Sequence, residues 1–297
     1  MLKTLITACL LIWLIATTVN ADIVAHWPAD GNYSDRVHGN DGSPFGDTGF
    51  TEGVFGQAFF FGNGGGYVLV PDSDDFDFGT ADFSVSFRVN YVRIIFNGSG
   101  VIDKDNYSEP SFAQYNGWLF NNAPNTGGIG FETRNIPSAG TYNNRYDPSN
   151  FELLTWYNLT ATRSKNVTSL YVDSQLVGQV VETIPADVTN SIDLIIGSLA
   201  PSGPGAQILH GSVDDVAIYN HALSELEVRR IFLYGVANSS GGLPGDLNLD
   251  STVDLLDVLP FVEILTNGGF QVEADVNLDG AINLLDVQPF VDILTGP

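Results

Sequence analysis

Cysteine, methionine and positive charge are all scarce in this chain. Its 297 residues include one cysteine, one methionine and 11 Lys or Arg against 35 Asp or Glu. The lone Cys9 lies inside an apolar run near the N-terminus, so the rest of the chain has no disulfide and no thiolate for catalysis or metal binding. A formal net charge of -24 without basic clusters excludes binding to a phosphate backbone, and no nucleic-acid partner is expected. No later apolar run approaches the ~18 residues that span a bilayer, so no transmembrane segment is expected.

Lys3, the apolar run from Leu5 to Ala16 and Val19-Asn20-Ala21 read as a signal peptide over residues 1–21. A secreted or cell-surface location is expected after cleavage near Ala21. Ile6-Thr7-Ala8-Cys9 has the form of a lipidation box, but it interrupts the apolar run instead of closing it, which weighs against that reading. An exported chain without disulfides must draw its stability from a core and from metal.

Residues 22–236 carry the period of strands. Val85, Phe87 and Val89 alternate with Ser84, Ser86, Arg88 and Asn90, and Tyr157, Leu159 and Ala161 alternate with Asn158, Thr160 and Thr162. Further short strands are predicted at 56–61, 67–70, 117–120, 128–133, 168–172, 175–181, 192–196 and 211–219. Gly62–Gly66 and Pro201–Gly205 punctuate them as loops. The first convincing helix opens at Ser224, where Ser224 and Glu227 form a capping box. This pattern predicts a mainly β fold, a two-sheet antiparallel sandwich.

Several motifs go further: Val24-Ala25-His26-Trp27 with Asp30-Gly31, Gly39-Asn40-Asp41-Gly42, Phe55-Gly56-Gln57-Ala58-Phe59, Asp82–Phe87, Tyr171-Val172-Asp173, and Gly211 through Ser224. In this order they resemble the laminin-G-like jelly roll of the concanavalin A-like lectin and glucanase fold. Asp173-Ser174 departs from it, since the hairpin turn there requires positive φ and Asp-Gly would adopt that more easily. The resemblance also implies a structural calcium, a third site in the chain, joining first and last strands through Asp30 and Asp214 or Asp215. The alternative is that these acids merely cap a turn or edge.

Glycosidases on such a fold use two carboxylates on one strand, and no E-x-D-x-x-E pattern is found. Glu225 and Glu227 have a suitable spacing but belong to the helical turn, and Asp72, Asp74 and Asp75 read as turn or calcium oxygens. The histidines His26, His38, His210 and His221 stand in no nucleophile motif. The domain is therefore expected not to be an enzyme. Trp118, Trp156, Tyr142 and Tyr146 either stack on sugar faces or, as is favoured for Trp27, Trp118 and Trp156, fill the core.

After a linker at 237–245, residues 246–297 repeat themselves. Aligning 246–267 with 275–296 gives 14 identities in 22 positions. Asp246, Asn248, Asp250, Asp254 and Asp257 return as Asp275, Asn277, Asp279, Asn283 and Asp286. These are positions 1, 3, 5, 9 and 12 of an EF-hand loop, with main-chain carbonyls of Thr252 and Ala281 at position 7. Oxygen ligands without sulfur suit calcium, and two calcium sites are expected. Gly241–Gly245 forbids an entering helix, whereas Leu255, Leu256, Val258, Phe261, Val262, Ile264 and Leu265 predict an exit helix. Pro260 and Pro289 are expected to kink or break the two exit helices.

At these residues the tail resembles a type I dockerin, a small α-helical calcium module that plugs a secreted protein into a cohesin. The prolines, Leu249 and Leu278 depart from that pattern. The resemblance implies recognition through Leu255-Leu256 and Leu284-Leu285, with Leu256 and Leu285 favoured for exposure. The expected function is an exported, non-catalytic module for a polysaccharide or glycoconjugate. Its tail would attach it to a cohesin-like protein or cell-surface receptor. The rival is a glycoside hydrolase or lyase of the same fold, acting in polysaccharide breakdown.

Overall fold

A computed structural model describes residues 23–93, 100–106, 115–122, 128–136, 138, 140–146, 152–199, 207–239, 242–250 and 252–295. The expected signal peptide with Cys9, the 201–205 loop and Ser251 lie outside the described residues.

Fifteen strands come first: β1 Ile23–Trp27, β2 Ser43–Glu52, β3 Gln57–Val70, β4 Phe83–Arg93, β5 Gly100–Asp105, β6 Tyr115–Asn122, β7 Ile129–Ile136, β8 Gly140–Tyr146, β9 Trp156–Ser164, β10 Val167–Val172, β11 Gln175–Val181, β12 Leu194–Ile196, β13 Ser198–Leu199, β14 Gln207–Ile208 and β15 His210–Tyr219. Among the described residues three α-helices follow: α1 Glu225–Tyr234, α2 Val258–Asn267 and α3 Val287–Thr295. The hydrogen-bonded order is β11-β10-β9-β4-β15-β3-β12-β5-β6-β7-β8, with β1 on β15 and β2 on β3. The sheet folds over at β3, where Phe59–Phe61 pair with β15 and Val68–Val70 pair with β12.

Between the two layers, Trp27, Phe59, Phe61, Phe83, Phe87, Trp118, Phe120 and Phe131 form one apolar core. These positions alternate along their strands, as a half-buried pleat requires. Trp27 and Trp118 thus belong to the core, whereas Trp156 is half-buried outside it. Tyr142 packs on the core with its hydroxyl 3.0 Å from Thr183 Oγ1, and the Tyr146 side chain lies outside the description.

Gly62–Gly66 is not a loop but the middle of β3, opposite the register shift between Gly46 and Thr48 of β2, with Gly66 paired to Gly46. Glycine leaves no side-chain period to read, yet it permits close approach: a Cβ on Gly46 would stand 2.0 Å from Gly65 O. The predicted strands at 56–61 and 67–70 are therefore one. The Asp173-Ser174 turn does adopt positive φ, +47° and +62°. The capping box on Ser224 is present, with Ser224 N donating to Glu227 Oε2 at 2.7 Å.

Pro260 and Pro289 neither kink nor break a helix. Each is the third residue of its helix, where the missing N–H has no helical acceptor in any case. Leu255 and Leu256 accordingly precede α2. The tail has its own core, in which Phe261 and Phe290 meet with ring centroids 4.4 Å apart.

Candidate functional site

The outer face of β5–β8 carries charge where the inner face carries aromatics. Strand register aligns Ile195, Asp103, Leu119, Glu132 and Asn143 in one row across β12, β5, β6, β7 and β8. The next row aligns Asp105, Gly117, Arg134 and Thr141. Gly117 presents no side chain, and Arg134 pairs with Asp105 across it, Nη1 to Oδ2 at 2.7 Å. The same guanidinium holds Glu132, with Nε donating to Oε2 at 2.9 Å and Nη2 donating to that oxygen as well.

Asn121 Nδ2 donates to Glu132 Oε1 at 3.2 Å. With its amide nitrogen turned inward, Asn143 donates to both oxygens at 2.6 and 3.0 Å. Asp103 Oδ1 accepts the Asp105 N–H at 3.0 Å. Burial pushes the Asp105 carboxyl up against the opposing pull of Arg134, and Glu132 pushes it up further. Burial disfavours the Arg134 charge, but Glu132 and Asp105 outweigh it and raise its pKa. The carboxylates are buried, while Thr141 and Asn143 are exposed and Arg134 is half-buried beside them.

Nothing local in the sequence marks this cluster, because its acids and its arginine come from two strands, β5 and β7, separated by β6. Each strand carries only its own half, Asp103 and Asp105 at i, i+2, and Glu132 and Arg134 at i, i+2. Only pairing through β6 brings the two pairs together.

The other acids and histidines do structural work. Asp30 Oδ1 accepts Gln57 N at 3.0 Å, and Asp214 Oδ2 accepts Val54 N at 2.7 Å and Phe55 N at 3.1 Å. Both acids thus cap the same turn at 54–57, as in the turn-capping alternative for Asp214, whereas Asp215 turns to His26. Burial pushes Asp214 up to about 6. Lys104 Nζ holds Asp72 at 2.7 Å, and Asp75 Oδ2 lies 3.1 Å from His38 Nδ1.

The two tail loops share one backbone design. Asp250 N donates to Asp246 Oδ1 at 3.1 Å, and Asp279 N donates to Asp275 Oδ1 at 3.0 Å. Leu249 and Leu278, at position 4, both take positive φ, +60° and +55°. Asp257 Oδ1 accepts from Leu247 N and Asn248 N, and Asp286 Oδ1 accepts from Asn277 N. Asp254 N and Asn283 N donate to the remaining oxygens of Asp257 and Asp286, each at 2.9 Å. Asp246, Asp257, Asp275 and Asp286 are all buried in a tail without a single Lys or Arg. Each accepts backbone N–H groups, but the tail has no basic side chain to neutralise them, and a hard cation is the charge that suits such buried carboxylates. Among the described residues no three Asp, Glu, His or Cys side chains converge.

Residues 61–229, more than half of the chain, match the family model of the concanavalin A-like lectin/glucanases superfamily, and the chain belongs to it. Domain 4 of AbnA, a GH43 extracellular arabinanase from Geobacillus stearothermophilus solved with arabinotriose, is similar with TM-score 0.53 and 18% identity over 70% of this chain and 97% of that one. The binding domain of Paraclostridial Mosquitocidal Protein 1 gives 0.56 and 15% over 71% and 52%. That of botulinum neurotoxin DC, solved with SialylT, gives 0.52 and 16% over 72% and 51%. At such identities the likeness is one of fold, and the chain spans about half the length of the toxin domains. No curated protein matches the chain.

Proposed function

We propose that this protein is an exported, non-catalytic module that binds a polysaccharide or glycoconjugate through its jelly roll and attaches to a receptor through a calcium-ordered, dockerin-like tail. The carrying observation is the outer face of β5–β8, where Arg134, Asn143 and Thr141 rim buried carboxylates. Such a fixed array of donors and acceptors suits sugar hydroxyls, whose recognition requires partners for each buried polar group. Structural neighbours solved with arabinotriose and with SialylT support the ligand class.

One observation bears on the rival hydrolase reading. Asp105 on β5 and Glu132 on β7 are two buried carboxylates held by one guanidinium, and a pair of acids is what that reading needs. Arg134 nevertheless bridges them at 2.7 and 2.9 Å and fills the gap a scissile bond would need. Binding without cleavage is the better reading.

For the tail, the four buried carboxylates and the matched loop geometry support two calcium sites. Asp246, Asn248, Asp250, Thr252, Asp254 and Asp257 would hold one ion, and Asp275, Asn277, Asp279, Ala281, Asn283 and Asp286 the other. Leu255 and Leu284 are 79 and 80% exposed, more than the favoured Leu256 and Leu285 at 66 and 67%, and all four together support a receptor contact of cohesin type. The third ion, between Asp30 and Asp214, would neutralise an Asp214 carboxylate that burial penalises.

The test is affinity electrophoresis on arabinan, galactan and other polysaccharides together with a sialylated glycan array. The wild type should be retained by at least one glycan and release no reducing ends. Arg134→Ala should weaken retention about tenfold or more through loss of a charge-assisted donor. A blank array would remove the binding function, and Glu132-dependent release of sugar would promote the hydrolase.

A further inference from the structure

The two calcium-type loops are nearly identical in sequence but not in surroundings. Among the described residues, helix α1, which closes the jelly roll, hydrogen-bonds only the second of them. The Tyr234 hydroxyl donates to Asp275 Oδ2, and Arg229 Nε donates to Leu278 O at 2.8 Å with Nη2 donating to the same carbonyl. Tyr234 also meets Phe270 edge to face, with centroids 5.2 Å apart. Leu233 lies against Gly280, where an added Cβ would come within 3.2 Å of it. The buried Arg230 guanidinium sits in the field of Glu273 and Asp275.

The consequences are visible in equivalent residues. Leu249 of the first loop is 61% exposed, whereas Leu278 at the same loop position is only partly exposed. Asn248 is exposed and Asn277 is not. The difference follows the contacts of α1, which reach the second copy at Asp275, Leu278 and Gly280. A tail without Lys or Arg thereby receives Arg229 and Arg230 from the neighbouring domain.

We infer that α1 of the jelly roll is the outer support of the second calcium loop, so that metal binding at 275–286 and docking of the tail on the jelly roll are one coupled event, while 246–257 binds independently. This rests on the calcium reading given above. Asp275 is the first residue of its loop, and its Oδ2 is already oriented by both Tyr234 and Gly280 N, the latter at 2.9 Å. A ligand whose free oxygen is fixed by a hydrogen bond loses less freedom on meeting the ion. Arg229 pins the main chain at Leu278, the strained left-handed residue of the loop. By linkage, whatever tightens the metal through α1 also tightens α1 on the tail.

The experiment is calcium titration by calorimetry on the full chain, with each loop isolated in turn. Asp250→Ala silences the first loop and Asp279→Ala the second. In the Asp250→Ala background, Tyr234→Phe and, separately, Arg229→Gln should each weaken calcium binding by about 10- to 100-fold. In the Asp279→Ala background neither change should alter affinity by more than about twofold. Thermal unfolding of the jelly roll should be unaltered by Tyr234→Phe, which separates lost support from misfolding. Uptake at two equal sites, both indifferent to Tyr234 and Arg229, would overturn this inference and leave the calcium reading standing. No uptake by the wild type at millimolar calcium would overturn both.

Discussion

His26 Nε2 lies 2.6 Å from Asp215 Oδ1, joining the first strand of the jelly roll to the last with both side chains buried. The other oxygen of Asp215 accepts the N–H of Val236 at 2.7 Å, just beyond α1. Asp215 takes φ +53° at a register shift in β15, and this irregularity accompanies its turn away from Asp214. His26→Ala should therefore destabilise the domain by about 1–3 kcal/mol, the cost of leaving a buried acceptor unmade. Urea unfolding of the wild type and variant measures it, and a difference under about 0.5 kcal/mol, typical of an idle surface position, would refute it.

Gly117 is the gap through which Arg134 reaches Asp105. Its φ is +146°, and a Cβ there would stand 2.1 Å from the carbonyl of Lys104. Gly117→Ala should cost about 2–4 kcal/mol and abolish glycan retention together with the Arg134 bridge. Normal stability and retention in this variant would show that the row tolerates a side chain.

Glu227 gives a pH dependence with a definite sign. The hydrogen bond from His221, and then those of Ser224, lower its carboxyl from 4.5 to about 2 in spite of partial burial. A folded-state pKa below the unfolded value adds stability above about 4.5, and that contribution disappears as pH falls towards 2. Glu227→Gln should thus melt below the wild type at pH 7, with the difference closing between pH 4.5 and 2. A gap constant over that range would assign the effect to packing alone.

Calcium should decide whether the tail folds, whereas the sandwich, with its large apolar core, should stay folded without it. About fifty residues bury little apolar surface, and each site filled at 100 times Kd adds about 2.7 kcal/mol. EDTA should reduce helical circular dichroism while leaving the jelly-roll melting transition in place. Full helicity in EDTA would exclude a structural role for the metal.

The paired leucines predict redundancy in attachment. If the two repeats dock one receptor in two orientations, Leu256→Asp or Leu285→Asp alone should leave binding nearly intact, and the double variant should lose it. Both residues are about two-thirds exposed, 66 and 67%, so stability should change by less than about 0.5 kcal/mol. Pull-down with the receptor bound in calcium reads the first expectation and thermal unfolding the second. Loss of binding from either single change would assign the symmetry to folding instead.

The amino-acid order by itself determined whatever depends on near neighbours. Alternation along 84–90 marked β4, the interval 175–181 coincided with β11, and Ser224 with Glu227 opened α1. Asp173-Ser174 was read as a turn of positive φ, and the duplication announced two equivalent loops. Each rests on a side-chain period or a hydrogen bond spanning a few residues. Only tertiary structure decided the rest. Asp105 meets Arg134 because β6 lies between their strands in one register, which no local pattern encodes. Gly62–Gly66 became a strand because β2 lay beside it, and the helices began late enough for Pro260 and Pro289 to fall in first turns. The same long-range packing set Tyr234 against Asp275 and made two loops of one design unequal. A repeated sequence can specify identical local geometry, but a single neighbour docked on one side is enough to distinguish the copies.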